Sequence, residues 1–235
     1  MHFKRVVVLT GAGISAESGI RTFRASDGLW EDHAIEDVAT PGGFARDPQL
    51  VQRFYNERRR HLSRPEIQPN AAHLALADFE RKFRGDFLLV TQNVDNLHER
   101  AGSKRVLHMH GSLLEARCLD TQEVFPWEND LDAQTPHPKD GRPGRLRPHI
   151  VWFGEFPLHM DTIEKALSEC DLFLSIGTSG QVYPAAGFVQ MTPPRCHRVE
   201  LNLADTPIGT FFNEHIQGPA SECVPAYLRN ILHAD

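Results

Sequence analysis

Short continuous apolar runs separated by polar, glycine-containing clusters recur along this chain. Arg5 to Thr10 contains Val6-Val7-Val8-Leu9, a β-branched run that predicts a strand buried on both faces. Phe87 to Val90, Val106-Leu107, His149 to Phe153, Leu172 to Ile176 and Val199 to Leu201 repeat the pattern. Between several of them lie stretches with helical spacing, such as Ala71 to Arg84 and His159 to Cys170. Strands alternating with helices predict an α/β fold, a doubly wound parallel sheet of the Rossmann-like kind. Ligands of such sheets bind beyond the carboxyl ends of the strands. The runs end in polar clusters: Gly11-Ala12-Gly13, Thr91-Gln92-Asn93, His108-Met109-His110-Gly111, Gly154, Gly177-Thr178-Ser179-Gly180 and Asn202.

Two stretches interrupt the alternation. Residues 21 to 70 are polar, rich in Arg and Pro, with a helix expected over Leu50 to Leu62. Residues 115 to 148 hold five prolines and no clear periodicity. The organisation expected is one domain, 1–235, with a core of about 1–20, 71–114 and 149–235. The two insertions, about 21–70 and 115–148, form a smaller annex beside it.

Gly11-Ala12-Gly13-Ile14-Ser15-Ala16 follows a strand and fits G-x-G-x-x-A. Glycines there let backbone amides approach a pyrophosphate, although tight strand–helix turns without a ligand use the same residues. A hydride-transfer domain would add a second strand ending in Asp or Glu about 20 residues on. Here Arg21 to Trp30 shows no strand pattern and reads as a loop with cations and a ring able to close over a cofactor. An oxidoreductase is therefore disfavoured.

Composition narrows the classes. Apolar residues are 40% and charged residues 24%, ordinary for a soluble globular protein. The net charge is −6 with no like-charge block longer than Arg58-Arg59-Arg60, so neither nucleic acid nor an anionic membrane is an expected partner. No apolar run approaches the ~20 residues that span a bilayer, and the first residues carry no signal-peptide pattern. Cys118, Cys170, Cys196 and Cys223 are scattered, without a disulfide framework, and a reducing cytoplasm is the expected location.

Taken together the motifs resemble the sirtuin family. The matching residues are Gly11-Ala12-Gly13-Ile14-Ser15, Gly19-Ile20-Arg21-Thr22-Phe23-Arg24, Thr91-Gln92-Asn93-Val94-Asp95, Leu107-His108-Met109-His110-Gly111, Val151-Trp152-Phe153-Gly154-Glu155, Gly177-Thr178-Ser179 and Leu201-Asn202. They stand in family order. The resemblance implies an NAD-consuming protein-lysine deacylase acting on acylated proteins. It implies cleavage of the nicotinamide–ribose bond by the acyl-lysine carbonyl oxygen, with His110, Asn93 and Asp95 catalytic. His110 is the base by this resemblance, and imidazole suits hydroxyl deprotonation near neutral pH; His108 is the competitor. Cofactor contacts are implied for Gly11, Ala12, Gly13, Ser15, Ile20, Phe23, Arg24, Gln92, Asn93, Val94, Asp95, Gly177, Thr178, Ser179 and Asn202. Substrate contacts are implied for Val151, Phe153 and Gly154. No role is expected for His33, His61, His73 or His137.

The chain departs from the family in one respect. Its structural zinc is usually held by two pairs of cysteines, and between residues 111 and 150 this chain has only Cys118, with His137 the only imidazole before His149. Two ligands cannot close a tetrahedral site, so no zinc is expected. Tyr55 and Arg58, at i and i+3 on the expected helix, share a face and can bind a carboxylate. They resemble the signature of class III members, which remove malonyl, succinyl or glutaryl groups, and Ala39 matches a small residue that widens that pocket. The alternative for this stretch is a solvated helix face, since Arg59 and Arg60 adjoin. A non-catalytic NAD or ADP-ribose sensor and a protein ADP-ribosyltransferase are the other functions considered.

Overall fold

The computed structural model describes residues 3–21, 29–30 and 33–233. The first strand, β1 (Arg5–Thr10), leads into a single helical turn, α1 (Gly13–Ala16). A small ribbon, β2 (Leu29–Trp30) with β3 (His33–Ala34), opens the first insertion. Three helices complete it: α2 (Ile35–Val38), α3 (Pro41–Arg46) and α4 (Pro48–Leu62). Helix α4 starts where Asp47 accepts a bond from the Leu50 amide, with Pro48 at the first position, where its missing N–H costs nothing. Helix α5 (Ala71–Lys82) begins on a reciprocal cap between Asn70 and His73.

The chain then returns to the sheet through β4 (Asp86–Thr91), α6 (Leu97–Ala101) and β5 (Val106–His108). Next come β6 (Gly111–Cys118), β7 (Val124–Pro126) and β8 (Leu146–Ile150). The last part is α7 (Met160–Glu169), β9 (Leu172–Ile176), α8 (Phe188–Met191), β10 (His197–Asn202), β11 (Glu214–Gln217) and α9 (Ala220–His233).

Six strands form one parallel sheet in the order β11-β10-β9-β1-β4-β5. Strand order reverses between β1 and β9, as in a doubly wound fold. The unbroken apolar run of β1 has a simple cause. Val6 and Val8 enter one core, with Leu76 and Phe79 of α5 and Leu228 of α9. Val7 and Leu9 enter the other, with Ile163 and Leu167 of α7 and Phe188 of α8. A strand covered on both faces has no polar side to show.

The strand expected over His149 to Phe153 is corrected by the structure. It runs as β8, ends at Ile150, and pairs antiparallel with β6 in a separate sheet of order β7-β6-β8. Its buried residues include Arg147 and His149, which a central parallel strand could not accommodate. Arg147 is satisfied locally: its two terminal nitrogens each lie 2.8 Å from an oxygen of Glu155, and its guanidinium stacks 3.5 Å over the Trp152 ring. Strand β11 has no counterpart among the expected strands, because it is a half-exposed edge strand with a mixed polar sequence. No described helix is long and apolar enough to cross a membrane.

Candidate active site

A cleft of about 540 Å³ opens at the carboxyl ends of β1, β4, β9 and β10. Its floor is made by two loops in backbone contact. Gly13 N donates to Gly177 O at 2.8 Å, and Asn202 Nδ2 donates to Thr178 O at 2.7 Å. A Cβ on Gly13 would stand 2.7 Å from Gly177 Cα, and Gly177 itself has φ +62°. Only glycine satisfies both positions. Gly11, Ala12, Gly13, Ile20, Gln92, Val94, Gly177, Thr178, Ser179 and Asn202 all line this cleft. The small floor and the strand-order reversal fit an extended dinucleotide. Phe23 and Arg24 lie outside the described residues.

Asn93 and Asp95 also line the cleft, 7% and 5% exposed. Asn93 Nδ2 donates to Gly11 O and to Ser15 Oγ, both at 3.1 Å. Ser15 Oγ donates onward to Asp95 Oδ2 at 3.0 Å, and the Leu97 amide donates to Asp95 Oδ1 at 3.0 Å. Ser15 is fully buried behind the wall, holding the two cleft residues together. Burial raises the Asp95 carboxyl above its usual range, against the opposing bonds from Leu97 and Ser15. His73 adjoins the same layer, with Nε2 3.5 Å from Ser15 Oγ.

The two histidines of His108-Met109-His110 have different surroundings. His110 Nδ1 lies 3.1 Å from the Gln92 carbonyl, which can only accept. The proton therefore sits on Nδ1, and Nε2 keeps its lone pair. Burial lowers the His110 pKa, partly offset by the Gln92 bond. Its neighbour Gly111 has φ +80°, and a Cβ there would meet His149 O at 2.0 Å. His108 has acceptors at both nitrogens, Asn93 O at 3.0 Å and Glu99 Oε1 at 2.8 Å. Burial acts to lower its pKa, but the Glu99 carboxylate and these bonds outweigh that and hold it raised. Unlike His110, it does not line the cleft.

At the annex end the cleft becomes apolar, lined by Ala39, Leu113, Ile150, Val151, Trp152, Phe153 and Gly154. The Phe153 amide donates to Ala39 O and the Val151 amide to His110 O, both at 2.9 Å. Tyr55 and Arg58, one turn apart on α4, bring the polar groups of this end. The Tyr55 hydroxyl accepts from Trp152 Nε1 at 3.0 Å, which leaves its own O–H to donate. Burial raises the Tyr55 phenol well above its ordinary pKa, so it stays protonated. The Arg58 guanidinium carbon lies 3.1 Å from the Phe54 ring centroid. His61, for which no role was expected, lines the cleft, as does Leu113, which the sequence did not single out; Trp30, from the segment expected to close over a cofactor, lines it too. The helical or strand spacing of His61 and Leu113 alone carried no such signal.

Among the described residues no group of three or more His, Cys, Asp or Glu could hold a metal ion. Cys118 is buried in a small annex core with Ala116, Leu131 and Leu146. His137 packs edge-on against Phe125. Beside them Arg145 reaches Asp120 at 2.5 Å and Asp140 at 2.6 Å.

A doubly wound sheet with a glycine floor, and an imidazole with one free nitrogen in a cleft that turns apolar at its annex end, fit a dinucleotide-binding fold. Comparison with known proteins agrees. The Sir2 family model matches residues 11–184. An NAD-dependent protein deacylase of Rhodopirellula baltica is 61% identical over 233 residues, covering 96% of this chain and 98% of that protein. The structure of a Sir2 homologue–NAD complex superposes with TM-score 0.87 at 38% identity, covering 99% of this chain and 91% of that one. A mutant Sir2 homologue in complex with 2′-O-acetyl ADP ribose gives TM-score 0.87 at 38% identity, with 99% and 93% covered. The chain belongs to the Sir2 family of NAD-dependent enzymes.

Proposed function

We propose that this protein is an NAD-dependent protein-lysine deacylase that favours acyl groups ending in a carboxylate, succinyl and malonyl above acetyl. The observation that carries the reading is the meeting, in one cleft, of His110 with its free Nε2 and of Tyr55 with Arg58. Bound NAD supplies the nicotinamide–ribose bond that the acyl-lysine carbonyl oxygen breaks. One water is consumed, and the products are nicotinamide, 2′-O-acyl-ADP-ribose and free lysine. The relatives' printed names support this reaction.

The roles are those the Sir2-family resemblance implies, and the local geometry supports them. Gly11, Ala12 and Gly13, with Gly177, Thr178, Ser179 and Asn202, hold the dinucleotide along the floor. Asn93, fixed by Gly11 and Ser15, flanks the ribose, and Asp95 flanks the nicotinamide amide. His110 Nε2 takes a ribose hydroxyl proton, and the Gln92 carbonyl steadies the imidazolium that results. The acyl-lysine enters between Val151, Phe153 and Gly154, and its acyl tail passes Ala39. Arg58 meets the terminal carboxylate with a charge-assisted bond, and Tyr55 donates its hydroxyl. Substrates are acylated proteins rather than nucleic acid or membrane. The site of action we propose is the cytoplasm, in keeping with four free cysteines. The test is mass spectrometry of acetyl-, malonyl-, succinyl- and glutaryl-lysine peptides with and without NAD. NAD-dependent deacylation, fastest for the acidic groups, is expected; equal turnover without NAD would overturn the reading.

A further inference from the structure

Three consecutive arginines of α4 reach three environments. Arg58 lines the cleft, Arg60 is exposed near Asp130, and Arg59 is buried with 1% of its surface exposed. Arg59 belongs to a polar stripe with Gln52 and Asn56, at i, i+4 and i+7, about a quarter turn of the helix from Tyr55 and Arg58. All three stripe residues are buried.

Gln52, Asn56 and Arg59 are each tied, directly, to the second insertion or its flanking strands, while Gln52 Oε1 and Arg59 Nη2 are buried without a hydrogen-bond partner. Gln52 Nε2 donates to Leu146 O at 3.0 Å, at the start of β8. Asn56 makes a two-way pairing with one backbone unit: Nδ2 donates to Leu131 O and Oδ1 accepts from Leu131 N, both at 2.8 Å. Arg59 Nη1 donates to the same Asn56 Oδ1 at 2.8 Å, and Nε donates to Leu113 O at 2.7 Å. Burial lowers the Arg59 pKa to about 10, which leaves it charged at neutral pH. Leu113 itself lines the cleft, so the stripe joins both walls of the acyl end.

We infer that Gln52, Asn56 and Arg59 are positioning residues for acyl recognition, setting the rotation and height of α4 and with them the place of Tyr55 and Arg58. The loop around Leu131, far from the cofactor floor in sequence, is thereby part of the acyl-reading apparatus. The inference rests on the proposed preference for acidic acyl groups. A helix that turns or slides carries Arg58 with it, and misplacement by ~1 Å can cost roughly 10²-fold where charge must meet charge. Acetyl-lysine presents no carboxylate and is far less sensitive to such a shift.

The experiment measures kcat and KM for succinyl- and acetyl-lysine peptides, and KM for NAD, in wild type, Asn56→Ala, Gln52→Ala and Asn56→Asp. Asn56→Asp keeps both accepted bonds but replaces the donor to Leu131 O with a second acceptor that opposes it. In Asn56→Ala the KM for the succinyl peptide is expected to rise about tenfold or more. The KM for NAD and deacetylation should change little, with Gln52→Ala weaker in the same direction and Asn56→Asp, which keeps only half of the Leu131 pairing, between Asn56→Ala and wild type. The succinyl-to-acetyl ratio is unaffected by loss of folded protein, so a destabilised variant still reports. Variants that lose thermal stability but keep the wild-type ratio and KM values would make the stripe a structural brace only and overturn the inference. Wild-type enzyme without a succinyl preference would remove the acyl reading, and the inference with it.

Discussion

His110 Nδ1 and the Gln92 carbonyl oxygen lie 3.1 Å apart, and this single contact decides which imidazole nitrogen is available to the cleft. It also separates His110 from His108, whose two nitrogens are both engaged by oxygen acceptors. Two histidines that look alike in the sequence are thus unlike in chemistry.

Replacing His110 by Ala is expected to lower deacylation by roughly 10²–10⁴, the usual range for a general base. NAD binding, measured by calorimetry, should stay within a few fold. Near-normal turnover would move the role away from this imidazole. Because burial lowers the His110 pKa below its ordinary 6.5, the neutral form predominates at pH 7 and is lost as pH falls through the lowered value. The acid limb of the kcat/KM profile is therefore expected below pH 6.5.

Arg58→Met should reduce desuccinylation by tenfold or much more, because losing one partner of a desolvated charge pair costs about 2–5 kcal/mol. Deacetylation should be nearly unchanged or faster. Equal loss of both activities would mark Arg58 as structural.

Tyr55→Phe is expected to act in the same direction and also to lower stability. The Trp152 indole N–H now donates to the Tyr55 hydroxyl at 3.0 Å and would be left buried without an acceptor. Such a group costs about 1–3 kcal/mol, readable by denaturant titration. A variant as stable as wild type would mean that the indole finds another acceptor.

The His108–Glu99 pair should make stability depend on pH. The His108 pKa is raised, so its contribution is present below 6.5 and lost as pH rises through the folded value. The Glu99 pKa is lowered by the His108 bond despite burial, so its contribution is present above 4.5 and lost as pH falls through the folded value. Glu99→Gln should therefore destabilise most between pH 4.5 and 6.5, and less at alkaline pH. Melting temperatures across that range would check it; a pH-independent difference would refute it.

Elemental analysis of the purified protein should find no stoichiometric zinc, and a chelator should leave its melting temperature unchanged. One zinc per chain would require ligands other than Cys118 and His137.

Much of the sheet was legible because β1, β4 and β9 are covered on both faces, and such strands carry unbroken apolar runs. The strand at β8 was legible as a strand but not as to its partner. A short apolar run does not say whether its neighbour is parallel or antiparallel, and Arg147 found its counter-charge in Glu155, a pairing that spacing alone does not disclose. Edge strand β11 lacked the apolar signal altogether. In the site, glycines and strand-end polar residues marked the cleft, since backbone approach and crevice position both demand them. The burial of Arg59 was not legible. Among neighbouring arginines it reads as a solvated cation, and its partners, the Leu113 carbonyl of β6 and the Asn56 side chain, explain its position.

The backbone contact between Gly13 and Gly177 has a consequence for synthesis of the chain. The floor of the cleft is made from a loop near the beginning of the sequence and another after β9, so no shorter nascent chain contains it. Contacts of such long sequence separation form late, after the loop between them has been closed. A ribosome must deliver β9 before any dinucleotide can be gripped, and the growing chain gains its ligand at a threshold rather than by degrees.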